Sequence, residues 1–146
     1  MAELFTNFRE KQKYKKEQFE RKVLRDLSLT DIKKEIQRIF QPFFQYSLLY
    51  QQDLEDACID IAIDAYLAGA AYSRFAYHGE TLQTIKARSA QKEKNITDSL
   101  FEYWQFWCWG TEMMMESLHM CCEAYVQVWW MEGYRNGEKR YRMKLH

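Results

Sequence analysis

The sequence contains one proline, Pro42, and five glycines in 146 residues. An all-β fold needs many tight turns, and so few breakers argue against one. Long apolar runs are missing too. No stretch reaches the roughly 20 uncharged apolar residues that a membrane helix requires, so no span is expected. The nearest approach, Leu100 to Trp130, is interrupted by Glu102, Glu112, Glu116 and Glu123, and charge is costly in a bilayer core. The N-terminal MAELFTNFREKQKYKK has charge throughout and no apolar h-region, unlike a secretory signal. Cysteine is scarce and patternless: Cys58, Cys108, Cys121 and Cys122 form no C-x-x-C pair. That usage fits reduced thiols in a cytoplasmic protein. Also absent are a Gly-rich phosphate loop, G-x-S-x-G and H-E-x-x-H, which removes the commonest sequence marks of nucleotide, hydrolase and zinc-protease chemistry.

What is present is apolar and aromatic. Hydrophobic residues make up 47% of the chain and aromatics 16%, enough for a sizeable core in one domain spanning 1–146. The formal net charge is zero, so nothing pulls the whole molecule toward nucleic acid or membrane. The charges are nonetheless segregated. Residues 1–40 are rich in Lys and Arg, and the tail from Arg135 is basic again. Residues 53–64 and 95–134 carry acids with no Lys or Arg between them. This pattern predicts basic ends packing near acidic helices, in the same chain or in a partner chain.

The periodicity is helical throughout. Residues 1–27 read as a partly exposed basic helix with sparse apolar positions, Phe5, Phe8, Phe19, Val23, Leu24 and Leu27. Ser28 is an N-cap candidate with Asp31 three residues on. The helix that follows carries Leu29, Ile32, Ile36, Ile39, Phe40, Phe43 and Phe44 on one stripe. Pro42 should kink it or end it, leaving an aromatic connector to about Gln51. Residues 52–78 form the clearest helix. Small residues at Ala62, Ala65, Ala68, Gly69, Ala70 and Ala71 would permit close approach of a neighbour. Gly79 is its expected C′ residue. Thr81 should start a polar helix to about Lys94, with a new start near Asn95 or Thr97. Leu100, Trp104, Trp107, Thr111, Met114, Leu118, Cys121, Tyr125 and Val128 then follow an a/d-type seam, with a break favoured at Gly110–Thr111. Phe106, Met113, Met115, Met120, Trp129 and Trp130 fall off that seam, and part of this surplus should form an interface. The tail 135–146 lacks periodicity and is expected to fray. The expected fold is an all-α antiparallel bundle of about four to six helices, centred on 52–78 and 97–131.

Four constellations could carry chemistry. Asp53, Asp56, Asp60 and Asp64 share one helix face, where they repel unless cations balance them; a solvated or salt-bridged face is the plainer reading. Glu112, Glu116, His119 and Glu123 share another. Glu116-x-x-His119 has the spacing at which two side chains converge on one ion, as in di-iron bundles, but its required second copy is missing. A single divalent metal held by Glu116 and His119 with Asp56, Asp60 or Asp64 is the remaining metal reading, against a plain polar face; no other cofactor is expected. Arg74, His78, Glu80 and Arg88 surround a helix end and could take a small anion, although His and Arg favour helix C-termini in any case. The basic N-terminal helix, Arg9 to Arg25, could touch nucleic acid or anionic lipid, yet Glu10, Glu17 and Glu20 dilute it, and nucleic-acid binding is disfavoured.

The run CIDIAIDAYLAGAAYSRFAYHGETLQTIKARSA at 58–90, with Leu27-Ser28-Leu29 and Trp129-Trp130, resembles a family of small uncharacterised proteins from Bacillus and relatives. The resemblance implies a bacterial cytosolic protein of unknown function and brings no active-site residues with it. The residues themselves favour a non-enzymatic helical interaction or regulatory protein, self-associating as a homodimer or binding another protein. The alternatives are a metal-dependent enzyme built on the carboxylate–His set and nucleic-acid binding through the basic helix.

Overall fold

The computed structural model describes the backbone over residues 2–48 and 50–143, and side chains within those bounds from residue 7. The side chain of Phe5 and tail residues 144–146 lie outside the described residues. Over the described residues the chain folds as an all-α bundle of five helices: α1 (Ala2–Leu24), α2 (Leu29–Phe44), α3 (Gln51–Tyr77), α4 (Leu82–Trp107) and α5 (Glu112–Arg142).

The expected caps are in place. Ser28 Oγ accepts from Asp31 N–H, Thr81 Oγ1 from Thr84 N–H and Thr111 Oγ1 from Met114 N–H, each bond answering an N–H with no partner inside its helix. Gly79 ends α3 at φ +95°, a left-handed conformation that glycine adopts without a Cβ penalty. The amides of Gly79 and Glu80 turn back to the carbonyls of Ala76 and Phe75.

Three expectations need correction. Pro42 does not stop α2 before itself; it sits in the last turn and the helix continues to Phe44, where the missing N–H costs only one terminal bond. The polar helix from Thr81 does not restart at Asn95. α4 is continuous to Trp107, because Ile85, Ser89, Glu93, Ile96, Leu100 and Trp104 make one unbroken buried stripe across the supposed junction. The tail is not frayed over its described part: α5 runs to Arg142 and buries Tyr134 and Gly137. The break at Gly110–Thr111 stands as expected, between α4 and α5.

Sequential helices of the α2–α5 core run antiparallel, but the most extensive contact joins α3 to α5, which run parallel with α4 packed against both. Pairings of Cys58 with Tyr125, Tyr66 with Asn136 and Ser73 with Gly137 fix that register. The approach is backbone to backbone. A Cβ at Gly69 would overlap the carbonyl oxygen of Trp130, and one at Gly133 the carbonyl oxygen of Tyr66. The small residues of 62–71 therefore do what their pattern suggested. Trp129 and Trp130, expected off the seam, are 4% and 0% exposed, because the tight crossing turns that face of α5 inward. Trp130 Nε1 donates to Ser89 Oγ at 2.8 Å. Phe40 stacks on Trp104 and meets Tyr125 edge-on, tying α2 to α4 and α5. Each such large side chain, fully buried, contributes about 1.5–3 kcal/mol.

Candidate functional site

The two acidic stripes stand on different sides of α4. Asp53, Asp56, Asp60 and Asp64 are exposed on α3. They turn toward α4 residues Lys92 and Tyr103: Asp64 feels Lys92, and Asp53 and Asp56 raise the Tyr103 phenol after its partial burial does. The Asp64 carboxyl is raised mainly by its own desolvation, with Lys92 opposing and Asp60 adding repulsion. On α5, His119 and Glu123 instead face the other flank of α4, where Phe101 meets the His119 ring edge-on. Glu116 stays exposed. Asp56, Asp60, Asp64, Glu116 and His119 are thus not brought to one point. Among the described residues, no three His, Cys, Asp or Glu side chains are grouped closely enough to hold a metal ion.

The structure builds a different polar site, in the groove between α4 and α5. Its walls are Lys86, Ala90, Glu93, Lys94, Thr97 and Asp98 from α4, and His119, Glu123 and Gln127 from α5, around a volume of about 470 Å³. Glu93 is its centre. Glu93 lies in the core register of α4, on the stripe that also carries Ser89 and Ile96, and its side chain is only 6% exposed. Its Oε1 accepts from Lys86 Nζ and from Gln127 Nε2. Lys86 also donates to Gln127 Oε1 and lies 4.3 Å from the centre of the Trp130 ring. Glu93 Oε2 is buried without any partner. Along the rim, Lys94 pairs with Asp98 at 2.9 Å, and His119 Nδ1 meets Glu123 Oε1 at 3.0 Å. Of the expected metal residues, only His119 belongs to this groove. Glu93 escaped sequence reasoning because residues 81–94 read as a uniformly polar helix. The signal was there: a carboxylate four residues after Ser89 and three before Ile96, on an apolar seam.

At the opposite end of α3 the predicted corner assembles in part. Arg88 Nη2 donates to Glu80 Oε1 at 2.7 Å. The Arg74 and Arg88 guanidinium carbons sit 4.9 and 4.7 Å from the centre of the Phe75 ring. His78 is the C-cap of α3 and packs edge-on to Tyr77. These contacts are local, and they tie down the α3–α4 turn.

Arg74 also faces away from that corner, into a groove of about 850 Å³ lined by Tyr14, Lys15, Lys16, Gln18, Phe19, Lys22, Ala71 and Tyr141. No acid lines it. The other end of the bundle is its converse. There the connectors 45–50 and 108–111 pair through a Ser47–Cys108 bridge, with Leu48 N–H on Trp107 O and Trp109 N–H on Tyr46 O. Leu48, Tyr50, Phe106, Trp109 and Met113 are all more than half exposed at this end. Among the described residues, Asp53, Glu102, Glu112 and Glu116 nearby make no ion pair.

Comparison with known proteins settles the family. Residues 1–146 match the family model described as "Protein of unknown function (DUF2521)". The chain belongs to the DUF2521 family. It is 28% identical over 147 residues to the uncharacterised protein YbaK of Bacillus subtilis strain 168, covering 99% of each chain. No solved structure matches it.

The four thiols of this DUF2521 member are free. Burial raises Cys58 to about 12 and Cys122 further still, which keeps both protonated and poor as nucleophiles or metal ligands. Burial likewise raises the Tyr125 phenol, whose hydroxyl donates to Cys58 O at 2.6 Å. These groups hold the core together and have no visible role in chemistry. Among the described residues, no helix is long and apolar enough to cross a membrane.

Proposed function

We propose that this protein is a self-associating helical interaction module. In this reading it forms a homodimer in which the acidic, apolar end of one copy meets the basic end of the other, twice over. The observation that carries the reading is the separation of unpaired charge along the bundle. Basic α1 packs on the Ala71–Arg74 end of α3, and among the described residues Asp53, Glu102, Glu112 and Glu116 at the acidic end have no ion-pair partner. Two-fold pairing of opposite ends satisfies both charges with a single self-complementary surface and closes the assembly. Exposed aromatics and methionines at the acidic end, with Tyr14 63% and Tyr77 50% exposed at the basic end, give that contact its apolar part.

Sedimentation equilibrium is the test. A dimer at micromolar concentration is expected, weakening as salt rises, since exposed charge is screened within about 10 Å at 0.1 M salt. Lys15→Glu, Lys16→Glu and Lys22→Glu together should give a folded monomer. A wild-type monomer throughout the micromolar range at low salt overturns the reading. One alternative shares the basic groove: its lining, free of acids among the described residues, also suits a nucleic-acid backbone, and that reading requires steeply salt-dependent binding to any duplex.

A further inference from the structure

We propose that the groove between α1, α3 and α5 is a binding site for a small organic anion that carries an aromatic ring, its charge held by Lys22 and Arg74. Binding does not rest on the dimer. Because the groove belongs to the basic end, however, this ligand and a second copy would compete for it.

Charge selects the sign of the occupant. Lys15, Lys16 and Lys22 of α1 and Arg74 of α3 line the groove, and no acid among the described residues does. None of the four makes an ion pair among the described residues. The glutamates that dilute α1 in sequence stay out of the groove. Successive helical residues turn by about 100°, so Tyr14, Lys15, Gln18, Phe19 and Lys22 share one face, and Glu17 and Glu20 fall on the other. Cations gathered on one concave wall focus their field into it. An anion is attracted there and a cation repelled. The Arg74 guanidinium adds a planar fork of donors, which suits a phosphate or carboxylate.

The rest of the lining selects the body of the occupant. Phe19 packs near Tyr141 with ring centres 5.6 Å apart, and Tyr77 stacks on Tyr141 at 5.8 Å. Tyr14 brings a further ring to the groove. Aromatic faces and edges reward a flat, apolar group, which a bare inorganic anion lacks. Ala71, three residues before Arg74, is exposed in the groove, and its short side chain leaves the space open. The volume of about 850 Å³ falls in the range of small-molecule pockets.

Calorimetric titration of the full chain with naphthyl phosphate tests this, with inorganic phosphate and naphthylmethylamine as controls. Saturable one-site binding of naphthyl phosphate is expected, at least tenfold tighter than inorganic phosphate, with none for the amine. Lys22→Gln combined with Arg74→Gln should weaken it at least tenfold. Ala71→Leu keeps every charge but occupies the groove, and should weaken it as much, a readout that survives if the double variant fails to fold. Lys33→Gln removes an exposed cation of α2 outside the groove and should change nothing. No saturable binding of naphthyl phosphate, or equal affinity for inorganic phosphate, overturns the proposal. Full affinity in Ala71→Leu, or equal loss in Lys33→Gln, overturns it in favour of general attraction to basic surface. Sedimentation of the same samples separates this inference from the dimer. Binding by a monomer supports the site and ends the dimer reading. Where a dimer is present, naphthyl phosphate should dissociate it, and a dimer left intact that binds none overturns the site alone.

Discussion

At the scale of single residues, two glycines matter most to the bundle's centre. Gly69 and Gly133 stand where α3 and α5 touch backbone to backbone, and neither neighbour is a side-chain tip that could swing aside. Gly133→Ala forces the helices apart and loosens everything keyed to that distance, including the Trp130–Ser89 bond. Overpacking of this kind costs about 1–3 kcal/mol or more, and a protein of this size loses roughly 2–4 °C of Tm per kcal/mol. Gly110→Ala is the control. A Cβ there meets only the flexible ends of Met114 and Met115, so its Tm should stay close to wild type. Thermal melts followed by circular dichroism compare the two, and similar Tm values would contradict the role given to the crossing. Among polar residues Glu93 has the corresponding place: a carboxylate on a core stripe is expensive, and the Lys86–Gln127 pair offsets that cost at only one of its two oxygens.

At the scale of helices, the sequence was legible where the physics is local. Ser28, Thr81, Thr111 and Gly79 announced boundaries because a cap is a short-range hydrogen bond or a single dihedral. The small-residue face of α3 was legible as well, since only close approach explains so many missing side chains. Tertiary contacts decided the rest. Residues 81–94 look polar alone, and α4 becomes one helix because Ile85 and Ser89 are buried, Ser89 against Trp130 of α5. The candidate site failed to read for the same reason: helical spacing puts Glu116 beside His119 on one helix, but cannot say which flank of α4 that face meets. The C-terminal segment shows this most directly. It lacks periodicity, yet Tyr134 is buried, Arg140 Nε donates to Asp26 Oδ2 at 2.7 Å, and Phe19 packs near Tyr141. Deleting residues 134–146 should therefore free α1 as well as shorten α5. Hydrogen exchange should show lost protection around Phe19–Val23, not only at the new C-terminus; unchanged protection there would make α1 independent of the tail.

At the scale of the whole molecule, the tryptophans offer a direct test of the proposed association. Trp104, Trp129 and Trp130 are buried, while Trp109 is 58% exposed at the acidic end, its ring edge-on to Tyr46. Acrylamide should therefore quench two populations in the monomer, an accessible one dominated by Trp109 and a protected one from the core. If opposite ends pair, raising the concentration through the dimer transition covers Trp109, and the accessible fraction falls without any change in the core signal. Salt should restore it, because the charges that bring the ends together are exposed and screened. Trp109→Phe should abolish the accessible fraction's dependence on concentration while sedimentation still reports the dimer, since Phe keeps the apolar contact. The two readings of the acidic end then separate. Contact driven by apolar surface alone would cover Trp109 equally at all salt concentrations, whereas contact that also matches acid to base loses its cover as salt rises. Quenching that is independent of both concentration and salt would mean that this end of the bundle is not where the copies meet.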